Sequence, residues 1–550
     1  MSHASRFTRG VVAGRRDYAG NAAGPPAQGS QGLIPGAATG PPSAPVHSPI
    51  SRGVATRIAA LSWPFSRRSW GRLSRRGRAL YAILAAVVLL PCYWQPRIQA
   101  GDLSSHIYNA WLVPLIRSGR LPGLYVAGQS TNVVFDLLLG ILIGPLGPDG
   151  AQRAAVTLAV LIFASGAFAF VFAVAGPRAW DIAPCLGMLV YGWVFHMGFF
   201  NFYLALGLCF WALALGWRFD PRRLALAVAI LLLAFTAHAL PVLWAAGIFA
   251  YVWLARKFQP GARLRLLGAA LAILAALQIP LRGLFLARWS PDQLFVATGA
   301  DQAWVFDRKY CYVAAALLLL WGFQFFHLLR SRGARDLAAG LPFQIFVLTA
   351  ASACLIPDAI LIPGYQHTLA FISERISLAA GVSACAVLAG VRAQTLQKYG
   401  YVAIAALFFA FLFHDERALN RFEDRIDNLA AQLPFGARVV VPINDPSLRI
   451  NAPVHMIDRA CIGRCFSYAN YEPSTAQFRL RAAPGNSYVA VTYQDSWELQ
   501  NGLHVRRSSE PPLMCVGLDP AGRFAIHEWN SGVLCPGIFW NVFRDSPVNP

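Results

Sequence analysis

Long apolar runs separated by short arginine-bearing links fill the middle of this chain. They lie near residues 80–93, 153–175, 182–198, 200–217, 223–238, 240–255, 265–281, 310–328, 338–356, 376–391 and 399–413. Runs of this kind predict helices that span a bilayer. Residues 132–147, "NVVFDLLLGILIGPLG", are short for a span and are interrupted by Asp136. That segment predicts a helix lying at the outer surface, or dipping in and back. About eleven spans are therefore expected.

The pattern changes at His414, where charges become frequent: "HDERALNRFEDRIDNLAAQLPFGARVVVPI". Residues 415–432 predict an amphipathic helix, Pro434-Phe-Gly436 breaks it, and Arg438 to Ile443 predicts a strand. The expected fold is an all-α polytopic membrane protein, with a membrane domain over 79–413 and a C-terminal extracytoplasmic α/β domain over 414–550. Residues 1–50 are rich in Gly, Pro, Ala and Ser without apolar periodicity, and a disordered tail is expected there. No secretory signal is visible at the extreme N-terminus. Residues 51–78 carry Arg52, Arg57, Arg67, Arg68, Arg72, Arg75, Arg76 and Arg78 and no acid. With Trp63, Phe65 and Trp70 among them, they predict a basic juxtamembrane segment lying on an anionic leaflet.

Composition supports this class. Hydrophobic residues make up 56% of the chain and charged residues 13%, against about 25% charged in soluble domains. The formal net charge of +21 would suggest nucleic acid in a soluble protein. Here the arginines sit mostly in short links, where they set topology, and nucleic-acid binding is excluded. Alternating the spans places 176–178, 218–223, 256–265, 330–335 and 392–398 on one side. That side is the cytoplasm, with the N-terminus inside and the C-terminal domain periplasmic or extracellular. Counting 132–147 as a span would put 218–223 outside. The expected location is the cytoplasmic (inner) membrane. Cys461, Cys465, Cys515 and Cys535 form an even set in the exported tail and predict disulfides, with three pairings open. The "CIGRC" spacing is not that of a zinc knuckle.

Candidate chemistry collects on the outer side. Loop one, 95–150, opens with "QAGDLSSHIYNAWL". Asp102 suits the N-cap of a helix over 103–118. It equally suits a general base or a metal ligand, with His106 one helical turn away. The second outer turn, "WVFHMGFFNFYL", brings His196 and Asn201, and "FTAHALP" brings His238. The bland reading of both histidines is a hydrogen-bonded interfacial side chain. Glu374 and Arg375 begin a late span. They form either a membrane-edge ion pair or, through the arginine, a site for a lipid phosphate. Arg282, Arg288, Arg308 and Lys309 add cations to the outer face, against the usual bias, and point to an anionic ligand.

This layout resembles the GT-C membrane glycosyltransferases, among them the protein O-mannosyltransferases and the lipid A aminoarabinose transferase. The matching stretches are Asp102, then "IYNAWLVPLIRSGRLPGLY", then "NVVFDLLLGILIGPLG", the turn "YGWVFHMGFFNFYLAL", and Arg375 in "FISERISLAAG". The resemblance covers roughly residues 78–550 in layout and is weak in sequence. It implies a polyprenyl-phosphate-linked sugar donor, a lipid, glycan or protein acceptor, and contact with membrane lipids. Asp102 would deprotonate the acceptor hydroxyl, His106 would orient it, and Arg375 would hold the leaving phosphate. Glu374, His196, Asn201, Arg282 and Arg288 would complete substrate binding, and Trp193, Phe199, Phe200 and Tyr203 would line the cavity. The family often pairs acids in loop one, whereas Leu103 follows Asp102 here. It often carries another acid in the second turn, where this chain has His196 and Asn201. With one acid, a metal-independent base is the simpler mechanism, and no cofactor is expected. A transporter or flippase is the first rival; it would carry internal repeats and polar or broken mid-membrane helices, and no repeat is visible. A non-catalytic membrane-anchored assembly protein is the second, for which eleven spans is a large anchor.

Overall fold

The computed structural model describes residues 85–445, 448–519 and 523–538. The expectations for 1–50 and 51–78, and for the start of the first apolar run, lie outside the described residues. From Val87 on, the chain forms one contiguous unit.

The outer loop contributes α1 (Leu103–Arg117) and β1 (Leu124–Val126). The apolar middle follows as α2 (Val134–Ala175), α3 (Ala183–Val190), α4 (Trp193–Met197), α5 (Phe200–Gly216), α6 (Pro221–Ala237), α7 (Ala239–Ala255), α8 (Pro260–Ala276) and α9 (Gln278–Leu284). After β2 (Leu286–Arg288) come α10 (Lys309–Arg332), α11 (Ala334–Ala339), α12 (Leu341–Leu355), β3 (Ala359–Leu361), α13 (Ile372–Leu388) and α14 (Thr395–Ala430). The tail holds β4 (Arg438–Val440), α15 (Met456–Ala460), β5 (Phe466–Ser467), α16 (Glu472–Thr475), β6 (Leu480–Ala482), α17 (Tyr493–Gln500), β7 (Met514–Leu518) and β8 (Phe524–Glu528).

The chain is a helical membrane protein with a small sheet region, but the expected eleven spans are not found. Among the described residues four helical stretches are long and apolar enough to cross a membrane: Val134–Met197, Pro260–Leu284, Lys309–Arg332 and Thr395–Ala430. Shorter apolar helices are α5 and α7, with 17 residues each, and α12, with 15. A span needs about 20 residues. The runs at 200–217, 223–238, 240–255 and 338–356 do form helices, but of only 15–17 residues, and those at 153–175 and 182–198 fall in one continuous helical stretch.

The 132–147 segment is helical and runs into the following apolar run. Gly147 (φ 68°), between Pro145 and Pro148, kinks α2 at that point, because each proline removes a helical donor and glycine alone accepts positive φ without penalty. A second correction concerns residue 414. The apolar run 399–413 and the amphipathic stretch after it form one unbroken helix, α14. Good helix formers fill its second half, and Leu412, Leu419, Phe422, Ile426 and Leu429 continue one buried face at helical spacing.

The tail is built on a four-stranded sheet in the order β5-β4-β7-β8. Strand β4 is parallel to both β5 and β7, and β7 is antiparallel to β8. Two disulfides staple it, Cys461–Cys465 and Cys515–Cys535. The tail is joined to loop one through β1, which pairs antiparallel with β6, and through Asn470 Nδ2, which donates to Asn109 Oδ1 at 2.7 Å. Arg459 of α15 locks the junction. It donates to both Glu423 oxygens of α14 (2.7 and 2.9 Å) and to Gln152 Oε1 of α2 (2.6 Å).

The links around 176–181, 330–335 and 390–398 meet one another. Arg178 and Arg332 each donate to the Gly390 carbonyl at 2.8 Å. Lys398 pairs with Asp181 at 2.6 Å, and the Arg256 guanidinium lies over Trp217 and Phe219 at 5.3 and 5.1 Å.

Candidate active site

Asp102 is positioned by its backbone. Gly101 N donates to the His196 carbonyl (2.7 Å) and Asp102 N to the Met197 carbonyl (3.1 Å). The second outer turn thus holds the start of α1. Gly198 permits this approach: its φ is +85°, and a Cβ there would lie 2.6 Å from Asp102 N. Asp102 occupies the N-cap position, but its side chain makes no capping hydrogen bond. The capping reading therefore describes its place and not its contacts.

The site is a cavity of about 220 Å³ between loop one, the second outer turn, the start of α13 and the tail. Asp102, His106, Asn201, His238 and Arg375 all line it, with Phe199 and Phe200 from the second turn. The sequence reading named each of these residues. His106 Nδ1 lies 2.8 Å from Asp136 Oδ1, and Asn201 donates to Asp136 Oδ2 at 3.0 Å. Burial alone would lower the His106 pKa, but Asp136, with Glu472 behind it, holds it up at about 10. His106 is therefore protonated at neutral pH and acts as a donor. Burial pushes the Asp102 carboxyl upward, while His455, His106 and Arg375 pull it back. The net effect leaves its pKa raised from the ordinary value, which makes it a stronger base once ionised.

Arg375 enters on the first turn of α13. Its guanidinium stacks over Phe199 at 3.8 Å, and one Nη lies 3.4 Å from His238 Nε2. Its Nε is buried with no hydrogen-bond partner. Among the described residues no carboxylate forms an ion pair with it, so of the two readings of Glu374 and Arg375 the membrane-edge ion pair is not seen. Phe371, just before α13, has left-handed backbone (φ 58°), a costly conformation for a bulky side chain and one that gathers at functional sites. Its ring faces Trp193 at 5.5 Å and lines the cavity.

Other expected residues lie elsewhere. His196 is fully buried, with Nε2 3.1 Å from Glu416 Oε1, and does not line the cavity. Arg282 stacks on Trp289 at 4.5 Å, and Arg288 lies 3.9 Å from Asp358. Glu374 is turned toward Asp358. Tyr203 is buried and donates to the Val190 carbonyl.

The tail supplies what sequence reasoning missed: His455, Tyr471, Gln477, Phe478, Tyr493 and Gln500 form the opposite wall. His455 Nε2 stands 3.8 Å from Asp102 Oδ1, and its Nδ1 is 3.1 Å from Asp458. No local motif announces that these tail residues reach loop one. Asp136 did carry a signal, since an acid inside an apolar run is costly without a function or a partner.

The fold and the site together define a helical membrane protein with a polar, aromatic-walled cavity beneath a disulfide-stapled tail. No protein-family model, curated protein or solved structure matches this chain.

Proposed function

We propose that this protein is a polyprenyl-phosphate-sugar-dependent glycosyltransferase acting on the outer face of the cytoplasmic membrane. The observation that carries the reading is Arg375, a half-buried arginine whose Nε is buried and which has no carboxylate partner among the described residues, in the same cavity as Asp102. An unneutralised arginine in a cavity is an anion site, and its planar fork suits phosphate. The GT-C-like layout of the sequence agrees. So does the basic composition of the links, for which the positive-inside bias supports a cytoplasmic side, with the cavity and tail outside. Disulfides in the tail fit an oxidising compartment.

In this mechanism the acceptor hydroxyl gives its proton to Asp102, and its oxygen attacks the anomeric carbon of the donor. The bond from that carbon to the phosphate oxygen breaks in line, and the departing polyprenyl phosphate carries its charge to Arg375. Protonated His106, fixed by Asp136, donates a hydrogen bond that orients the acceptor. Phe199, Phe200 and Phe371 offer apolar faces to the sugar ring.

The test is transfer from extracted polyprenyl-phosphate sugars by the purified full-length protein. Asp102→Asn keeps size and polarity and is expected to lower turnover by about 10²–10⁴-fold with normal expression. Arg375→Lys keeps the charge but loses the fork, and is expected to weaken donor binding first. Near-normal transfer by Asp102→Asn would remove the acid from the mechanism.

A further inference from the structure

A second cluster lies on the far side of α17 from the cavity. Asp495 and Glu498 stand one turn apart on this helix, whose ends, Tyr493 and Gln500, line the cavity. The chain then turns at Gly502 and returns His504 beneath the helix, 1% exposed. His504 Nε2 is 2.8 Å from Glu510 Oε1. Its Nδ1 has no hydrogen-bond partner among the described residues, although it faces Glu498 Oε2 at 3.5 Å and Asp495 Oδ1 at 3.9 Å.

We infer that Asp495, Glu498 and His504 Nδ1 hold a divalent cation of the zinc class. The three ligand atoms lie within 4.8 Å of one another. Bonds of about 2.0–2.2 Å in a tetrahedral site place ligand atoms roughly 3.3–3.6 Å apart, close to the 3.5 and 3.9 Å already found from His504 Nδ1 to the two acids. The surrounding contacts already orient each ligand. Glu510 accepts the Nε2–H, which leaves the Nδ1 lone pair for the metal, the usual arrangement behind a metal-bound histidine. Gln494 occupies Glu498 Oε1 (2.7 Å) and Thr492 occupies Asp495 Oδ2 (2.8 Å). Glu498 Oε2 is left over and faces His504; Asp495 Oδ1 also faces it but accepts from Arg507 Nη2 as well, so the ion would take that oxygen's second lone pair. Arg507 binds Asp495 at 2.5 Å. With three carboxylates, one guanidinium and a neutral imidazole, the cluster carries a charge of about −2, which a divalent ion cancels. One imidazole with two carboxylates suits Zn²⁺, with water in the fourth position. The ion would fasten α17 to residues 501–510 and so hold one wall of the cavity in place.

The alternative is a doubly protonated His504 shared among three acids, and one experiment separates the two. Chelator-treated full-length protein in detergent is titrated with Co²⁺, then with Zn²⁺. The expected result is one equivalent of Co²⁺ with a tetrahedral visible spectrum, displaced by Zn²⁺. Glu498→Gln, at a half-buried position, is expected to lose this binding with its sheet intact by circular dichroism. Glu510→Gln keeps all three ligands and is expected to weaken affinity about 10–100-fold. Absence of the spectrum in the unmodified protein overturns the site. So does a His504 ring shown by nitrogen NMR to carry both protons at neutral pH in the presence of Zn²⁺, and so does equal Co²⁺ binding by Glu498→Gln.

Discussion

His106 keeps its proton well past neutrality because Asp136 touches Nδ1 at 2.8 Å inside a buried wall. This has a consequence for stability. The ring's pKa is raised from near 6.5 to about 10. The stabilisation is fully present below pH 6.5, where the unfolded chain also carries the proton, and is lost as pH rises through about 10. Asp136→Asn is expected to cost about 1.5–3 kcal/mol near pH 6, the worth of a hydrogen bond to a charged group, and far less above pH 10. Thermal unfolding at several pH values checks this; an equal loss at all pH values would show that the ring is not charged. Asp102, His106 and Arg375 were legible because charged residues are rare in so apolar a chain and these stand at the ends of apolar runs. His455 and Tyr471 were not. They reach the cavity only through long-range packing, and nothing in "NAPVHMIDRACIGRC" distinguishes His455 from any other tail histidine.

At the scale of elements, the positions of most helices followed from apolar periodicity, but their number as spans did not. Periodicity shows where an apolar run begins and ends. It does not show whether a helix of only 15–17 residues, such as α5, α7 or α12, crosses the membrane, since a span needs about 20. The same blindness hid the continuity of α14, where a change from apolar to charged composition looked like a boundary although the backbone had no reason to stop. The turn at Gly198 joins two elements, α4 and α1, at a point with no room for a side chain. Gly198→Ala forces both a left-handed alanine and a clash with Asp102 N. It is expected to cost at least about 1–2 kcal/mol and to move Asp102. A melting-temperature drop together with reduced transfer is the predicted pair of observations. Loss of stability with unaltered transfer would separate the turn from the site.

For the whole molecule, the expected division at residue 414 gives way to a tail sewn onto loop one and the helical bundle. Sequence composition separates the two regions because one meets lipid and the other water. Contacts join them through groups such as Arg459, buried beside Glu423 and Gln152. Removing one partner of a buried ion pair typically costs about 3–5 kcal/mol. Arg459→Met is expected to loosen the tail while the membrane helices stay folded, seen as protease cleavage between 433 and 480 with the helical signal retained. The double variant Arg459→Met, Glu423→Leu should recover much of the loss, since it leaves no buried charge unpaired.

Helix α14 has 36 residues, roughly 54 Å of rod, with no joint where the lipid-facing half meets the half that carries the tail. A roof fixed to such a beam resists tilting open like a lid; for the transferase proposed above, a large acceptor would then come in from the side. One wall of the cavity is the strip from Gly364 to Phe371, where glycine and phenylalanine both hold positive φ (87° and 58°) and which reaches the tail through Gln366 N and the Thr475 carbonyl (2.9 Å). Amide hydrogen exchange should find this strip opening far faster than residues 415–430 of α14. If so, the width of that side door, and not the volume of the chamber behind it, decides which acceptors are admitted.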